Sequence, residues 1–142
     1  MAAVVCRSVL AAGALLAVSA CASVSADART FEGSSWQVTA INGQPAPPGL
    51  EVRFEDGRIG GRLGCNSFGG SYRVERQLLI VGRVAMTRMA CASAVDGPAV
   101  SPMTFERWAA SVLASRMRIT WQSGAELTLS NAAGSIALRR AR

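Results

Sequence analysis

Hydrophobic and polar residues alternate with a period of two along most of the chain after residue 34. Trp36 and Val38 have polar neighbours on both sides, and the same holds for Val52 and Phe54. Such alternation is typical of strands that bury one face and expose the other. Turn-forming pairs such as Asp56-Gly57 separate these segments. The pattern predicts about eight short strands in antiparallel order.

One segment has the period of a helix instead. Ser101 followed by Pro102 supplies a helix N-cap and a first-turn proline. Apolar residues then recur at the spacing of one helical face, at Phe105, Trp108, Ala109 and Val112. The predicted fold is therefore mainly β (α+β), a curled antiparallel sheet or small β-barrel closed by one helix.

The first twenty residues form a separate segment. They are mostly apolar with one cation, Arg7, and their uncharged run is shorter than the roughly 20 residues that span a bilayer. The run ends in Val18-Ser19-Ala20-Cys21, which resembles a bacterial lipobox. The resemblance implies a signal peptide over residues 1–20, cleavage before Cys21 and a lipid on its sulfur. A plain secretory peptide with a coincidental cysteine is the alternative.

Small and polar residues follow the cysteine. Their lack of apolar periodicity predicts a flexible tether over residues 21–33 and a folded domain over residues 34–142. Ala22 stands where an aspartate would signal retention in the inner membrane. We therefore expect an exported lipoprotein that its lipid anchors to the membrane, in a Gram-negative cell to the outer membrane facing the periplasm.

The charged residues exclude much catalytic chemistry. All 15 cations are arginine, histidine is absent, and the formal net charge is +6. Without histidine or lysine there is no Ser-His-Asp triad, no histidine-ligated zinc and no Schiff-base lysine. We therefore expect that the protein is not an enzyme and that it binds no cofactor and no metal. Scattered arginines in an exported chain also argue against nucleic acid as a partner.

The chain contains four cysteines. Cys6 would leave with the signal peptide and Cys21 would carry the lipid, so Cys65 and Cys91 remain. Two thiols in an exported protein predict a disulfide, and a redox or metal-binding pair is the alternative.

Two motifs carry a family resemblance. The first is G-C-N-x-F-x-G-x-Y over residues 64–72, and the second is T-R-M-A-C over residues 87–91. Together they resemble the META domain, or heat-shock HslJ-like, family over roughly Ser34 to Arg139. Apart from the cysteines, the motif residues are Gly64, Asn66, Phe68, Gly70, Tyr72, Thr87, Arg88 and Met89. The resemblance implies a small β structure with a helix in exported or lipid-anchored bacterial proteins, some linked to heat shock, with no established enzymatic activity.

Several motif residues allow two interpretations. Asn66 is predicted to cap a turn or to adopt a positive φ, with a ligand contact as the alternative. Thr87 and Arg88 are predicted to hydrogen-bond their loop onto the first motif, although Arg88 would also suit an anionic partner. Met86 and Met89 are predicted to fill gaps in the core, and the alternative is a Cu(I) site that includes Cys91.

These observations predict a non-catalytic, stress-related envelope lipoprotein that binds an envelope protein or an anionic envelope component. The arginines at 139, 140 and 142 form a basic tail suited to an anionic surface. A copper-binding protein and an inhibitor-type module against a secreted enzyme are the alternatives.

Overall fold

The computed structural model describes residues 31–91 and 100–142 of the chain. The predicted signal peptide, Cys21 and most of the predicted tether lie outside the described residues. The strands are β1 (Ser34–Ile41), β2 (Gln44–Pro45), β3 (Glu51–Glu55), β4 (Arg58–Arg62), β5 (Ser67–Glu75), β6 (Leu78–Val81), β7 (Ala85–Met86), β8 (Met117–Ser123), β9 (Glu126–Asn131) and β10 (Gly134–Arg140), and the helix is α1 (Pro102–Leu113).

Eight of these strands form a closed antiparallel barrel. The order is β1-β3-β4-β5-β6-β8-β9-β10, and β10 pairs back onto β1. The two-residue strands β2 and β7 add to β1 and β5. Asp56 and Gly57, at φ 51° and 68°, turn β3 into β4 as a tight hairpin requires. The predicted barrel is confirmed, and its closure pairs strands that would otherwise be exposed edges.

The inward-facing residues of the strands form one core. The alternation predicted from the sequence is visible in β3, where Val52 and Phe54 are buried while Arg53 and Glu55 are exposed. The helix adds one buried face, made of Phe105, Ala109, Val112 and Leu113. Burial of these apolar side chains is the main force that holds the barrel together.

The helix closes one end of the barrel. The Asn131 side chain, at the β9–β10 turn, donates to the Val112 carbonyl at 2.7 Å. Gly64, in the β4–β5 connection at the same end, lies against the first turn of α1. We call this end the helix end. Ser101 caps α1 and accepts from the Thr104 amide at 3.3 Å, so the predicted helix start is confirmed.

Aromatic rings fill the opposite end, where the chain enters β1, and we call it the aromatic end. Phe31 is fully buried, with its ring 4.7 Å from Phe54, 6.0 Å from Trp36 and 5.9 Å from Trp121. The folded domain thus includes Phe31, and this corrects the boundary predicted at Ser34. A single phenylalanine in a small, polar segment has no periodicity, but it supplies a ring that the barrel mouth can bury.

The residue after Phe31 also joins the barrel. Glu32 accepts hydrogen bonds from the Tyr72 hydroxyl at 2.6 Å and from the Gly57 amide at 3.3 Å. The Tyr72 bond holds the pKa of the Glu32 carboxyl below its usual range. Burial, and then the bond to Glu32, raises the pKa of the Tyr72 hydroxyl. Within residues 31–91 and 100–142, no helix has the length and apolarity needed to cross a membrane.

Candidate functional site

Asn66 is at the centre of the motif residues. Its side chain is 2 % exposed, and it lies between β4 and β5 without the positive φ offered as one prediction. The Asn66 Oδ1 accepts from the Thr87 hydroxyl at 2.9 Å and from the Met89 amide at 2.6 Å. The amide therefore joins the two sequence motifs, which are separate along the chain.

The other half of the Asn66 amide reaches the helix. Nδ2 donates to both carboxylate oxygens of Glu106 at 2.9 Å and to the Met89 carbonyl at 3.2 Å. The Asn66 backbone amide also donates to Glu106 Oε2 at 3.2 Å. One buried side chain thus connects the β4–β5 connection, the segment after β7 and α1. A buried amide with all its partners satisfied stabilises one arrangement of these segments.

Sequence reasoning did not find Glu106. The sequence gives one weak indication that Glu106 has a partner: it directly follows Phe105, at the edge of the apolar stripe of α1. A carboxylate that is half-buried there needs a hydrogen-bond partner. Nothing in the sequence pairs that carboxylate with Asn66, because the two residues are 40 positions apart.

Gly64 allows the helix to come this close. A Cβ at Gly64 would lie 2.8 Å from both the Pro102 carbonyl oxygen and the Glu106 Cβ. Next to it, Cys65 forms the predicted disulfide with Cys91, and their Cα atoms are 5.7 Å apart. This Cα separation is ordinary for a disulfide. The bridge confirms the pairing and ties down the end of the second motif.

The second motif, residues 87–91, is held at Thr87, Met89 and Cys91, and we call it the pinned loop. The Thr87 amide donates to the Ser67 carbonyl at 3.0 Å, and the Thr87 hydroxyl accepts from the Ser67 amide at 3.0 Å. Thr87 therefore orders the loop as predicted. Arg88 does not, because it is exposed and makes no hydrogen bond or ion pair within the described part of the chain.

Met89 corrects another prediction. Its side chain is 58 % exposed, although Met86 packs against the core as expected. Asn66 holds the Met89 amide and carbonyl, and this backbone position leaves the thioether in solvent. The pinned loop therefore presents a cation and a polarisable apolar side chain next to each other.

The remaining motif residues are structural. Phe68 is buried, and a Cβ at Gly70 would lie 3.1 Å from the Arg83 carbonyl oxygen. The Tyr72 ring packs edge-on against Phe54 at 4.9 Å, at the aromatic end. The structure therefore does not bring all motif residues together.

The arrangement offers little for metal chemistry. Among the described residues, no group of three or more histidine, cysteine, aspartate or glutamate side chains could hold a metal ion. Cys91 is bonded to Cys65 and supplies no thiolate, so only the thioethers of Met86 and Met89 remain from the predicted copper set.

A depression of about 750 Å³ lies on the outer wall of β3–β5, where Arg53 pairs with Glu51 at 2.5 Å.

Two NMR structures have a similar fold. One has a TM-score of 0.65 and 21% identity, and the match covers 78% of this chain and 92% of that one. The other, from Burkholderia xenovorans, has a TM-score of 0.60 and 19% identity, and the match covers 82% of this chain and 87% of that one. At these identities the likeness concerns the fold alone. None of the curated proteins compared with the chain matches it.

The family comparison covers most of the chain. The family model described as META domain matches residues 29–142, which include both motifs, all of the barrel and the helix. The match begins ahead of Phe31, in agreement with the burial of that ring. The chain therefore belongs to the META domain family.

Proposed function

We propose that this protein is a non-catalytic, exported lipoprotein that binds a protein or another envelope component through the pinned loop. One observation carries the proposal. Asn66 holds both backbone polar groups of Met89, while the Met89 side chain is 58 % exposed. A buried clamp that orders a segment whose own side chains stay in solvent suits recognition better than core packing.

Preorganisation is the physical advantage of such a loop. Binding normally costs entropy, because flexible segments must be ordered at the interface. Here the Cys65–Cys91 disulfide and the Asn66 amide already limit the loop. Arginine and methionine are both enriched at protein interfaces. Arg88, without a partner among the described residues, has its guanidinium available for a carboxylate or phosphate on the bound molecule.

The absence of catalysis and the cellular location belong to the same proposal. The chain has no histidine, and the META domain family is not a known enzyme family. The lipobox-like segment before Cys21 supports anchoring, and Ala22 after it supports the outer membrane. A role in envelope stress is supported by the family resemblance alone.

Photo-crosslinking in living cells tests the binding surface. A photoreactive amino acid placed at Arg88 or at Met89 should capture the same partner. The same amino acid at Ala133, exposed in the turn between β9 and β10 at the helix end, is the matched control and should not capture it. Asn66→Ala in the Arg88 variant should reduce the capture. Equal capture at Ala133, or none at either loop position, would overturn the proposal.

An inhibitor-type module is the second candidate, and the same geometry favours it. A loop fixed by a disulfide and a buried amide, with an exposed arginine between them, can enter an enzyme cleft without being reordered. Titration of the purified protein against secreted proteases and lysozyme tests this candidate. A stoichiometric loss of one enzyme's activity with the wild-type protein, and no loss with the Arg88→Ala variant, would support inhibition. Full activity of every enzyme tested would argue against it.

A further inference from the structure

The pinned loop carries one sulfur atom that can still be oxidised easily. Cys91 is bonded to Cys65, so the loop holds no thiol that would compete for an oxidant. Between residues 87 and 91, Met89 is then the one side chain with an unoxidised sulfur. An oxidant that reaches the loop therefore meets the Met89 thioether.

The methionines differ in their access to solvent. Of the four that lie in the described residues, Met117 is fully buried in the barrel and Met86 is half-buried against the core. Met89 is 58 % exposed, and Met103, in the first turn of α1, is 47 % exposed. Because susceptibility to oxidation follows exposure, a dissolved oxidant should react with Met89 and Met103 before it reacts with the other two.

Oxidation of Met89 leaves the contacts that hold the pinned loop in place. Asn66 binds the backbone of Met89, at the amide over 2.6 Å and at the carbonyl over 3.2 Å, and the disulfide fixes Cys91. The Met89 thioether takes part in none of these bonds. A sulfoxide here stays in solvent and costs the fold little, whereas a sulfoxide at Met117 would place a polar group in the core.

The reaction is a two-electron transfer of oxygen from a hydroperoxide. A lone pair of the Met89 sulfur attacks the terminal peroxide oxygen, an S–O bond forms and the O–O bond breaks. The proton of the terminal oxygen passes to the leaving oxygen. The thioether is thus oxidised to the sulfoxide, and the hydroperoxide is reduced to an alcohol, or to water where it is hydrogen peroxide.

The product has a different surface chemistry from the thioether. A flexible apolar side chain becomes a polar one that carries a strong hydrogen-bond acceptor. A partner that buries the Met89 thioether against apolar groups would then have to bury that oxygen without a donor, which is costly. The charge of Arg88 is unchanged, so oxidation acts on the apolar part of the loop surface alone.

We propose that Met89 is an oxidation site, and that its conversion to the sulfoxide by a hydroperoxide releases the partner from the pinned loop. The inference rests on the proposed function, because it requires a partner bound at this loop, and it adds control by oxidants to that function. No change of fold is involved. Asn66 and the disulfide keep the loop in place in both oxidation states, and only the side chain that contacts the partner differs.

Peptide mass spectrometry tests the chemistry on the full chain purified from producing cells. Dilute hydrogen peroxide should oxidise Met89 and Met103 first, Met86 later and Met117 last. The urea midpoint of unfolding should stay the same once Met89 and Met103 have reacted. The proposal is overturned if Met86 reacts before Met89. It is also overturned if the midpoint falls in the wild type but not in Met89→Leu, because oxidation would then act by loosening the fold.

Photo-crosslinking in living cells, with the photoreactive amino acid at Arg88, tests the control of binding. Met89→Gln places a polar amide where the sulfoxide would be, and it should lose most of the capture without any oxidant. Met89→Leu is apolar and cannot be oxidised, and it should keep its capture in hydrogen peroxide that abolishes wild-type capture. Met103→Gln is the matched control, because Met103 is exposed to a similar degree, and it should capture as the wild type does.

The outcomes distinguish this inference from the proposed function. If the untreated wild type captures no partner at Arg88, the proposed function is wrong and the control by oxidation falls with it. If the wild type captures a partner and Met89→Gln captures it equally, the control by Met89 alone is wrong. The same conclusion follows if hydrogen peroxide abolishes capture in Met89→Leu as it does in the wild type.

Discussion

Replacing Asn66 with alanine would remove the side chain that connects both motifs to α1. The variant loses neutral hydrogen bonds to Thr87 and Met89 and a charged one to Glu106. Neutral bonds contribute about 1 kcal/mol each and bonds to charged groups about 1.5–3 kcal/mol. Water can reach half-buried Glu106 and replace part of its lost hydrogen bonding to Asn66. We therefore expect the free energy of unfolding to fall by about 3 kcal/mol.

Urea unfolding at neutral pH, with the disulfide intact and tryptophan fluorescence as the probe, measures this loss. Asn131→Ala is the matched control, because its amide is half-buried and makes single bonds to Val112 and Ala133. With two neutral bonds lost and no charged one, it should cost about 2 kcal/mol. If Asn66→Ala costs no more than Asn131→Ala, the idea that Asn66 is a central clamp is wrong.

Asn66→Asp tests the electrostatic part of the same argument. The variant keeps the shape of the side chain but places a carboxylate where Nδ2 contacts Glu106. Two carboxylates this close raise the pKa of the pair in the folded state. The folded variant then binds more protons than the unfolded chain, so its stability relative to wild type should fall as the pH rises from 4 to 7. A deficit that does not change with pH would contradict the assignment of Nδ2 to Glu106.

Three further predictions concern the disulfide, the glycine under the helix and the carboxylate at the aromatic end. Cys65→Ser with Cys91→Ser should lower the free energy of unfolding by about 3.5 kcal/mol, because loop closure across a separation of 26 is lost; urea midpoints measure it. Gly64→Ala should cost about 2 kcal/mol or more, because its Cβ would overlap the first turn of α1. Tyr72→Phe should weaken the stabilisation that the Glu32 carboxylate contributes, because the Tyr72 bond is the main cause of its lowered pKa, beside the Gly57 and Asp56 amides. A lowered pKa stabilises the fold above the unfolded pKa of the carboxyl, and this contribution is lost as the pH falls through the folded pKa.

Each of these has its own control. Gly124→Ala, where nothing lies within 4 Å of the added Cβ, should change stability by less than about 0.5 kcal/mol. Equal effects at Gly64 and Gly124 would refute the steric argument. For the disulfide, full stability of the double serine variant in urea would show that the Asn66 clamp alone fixes the loop. For Tyr72→Phe, titration of urea midpoints between pH 5 and 3 should give a flatter profile than wild type, and identical profiles would contradict the Glu32 bond.

Patterns along the sequence determined the architecture. The alternation at Val52 and Phe54 predicted which residues point inward, because a strand has a period of two whatever its partners are. Ser101 and the apolar spacing after it predicted the helix for an equally local reason. Elimination paired Cys65 with Cys91 correctly, since the other two cysteines lie in or directly after the predicted signal peptide.

Only the tertiary structure decided how the motifs are used. The apolar side chain of Met89 predicts a place in the core, and the small, polar segment around Phe31 predicts a tether. The fold instead leaves Met89 in solvent and buries Phe31. The partners of Asn66 lie 21 to 40 positions away, and hydrogen bonds across such separations leave no periodic trace. Local propensity and pattern act within one turn or strand, whereas closure of the barrel sets which side chains meet and which remain in solvent.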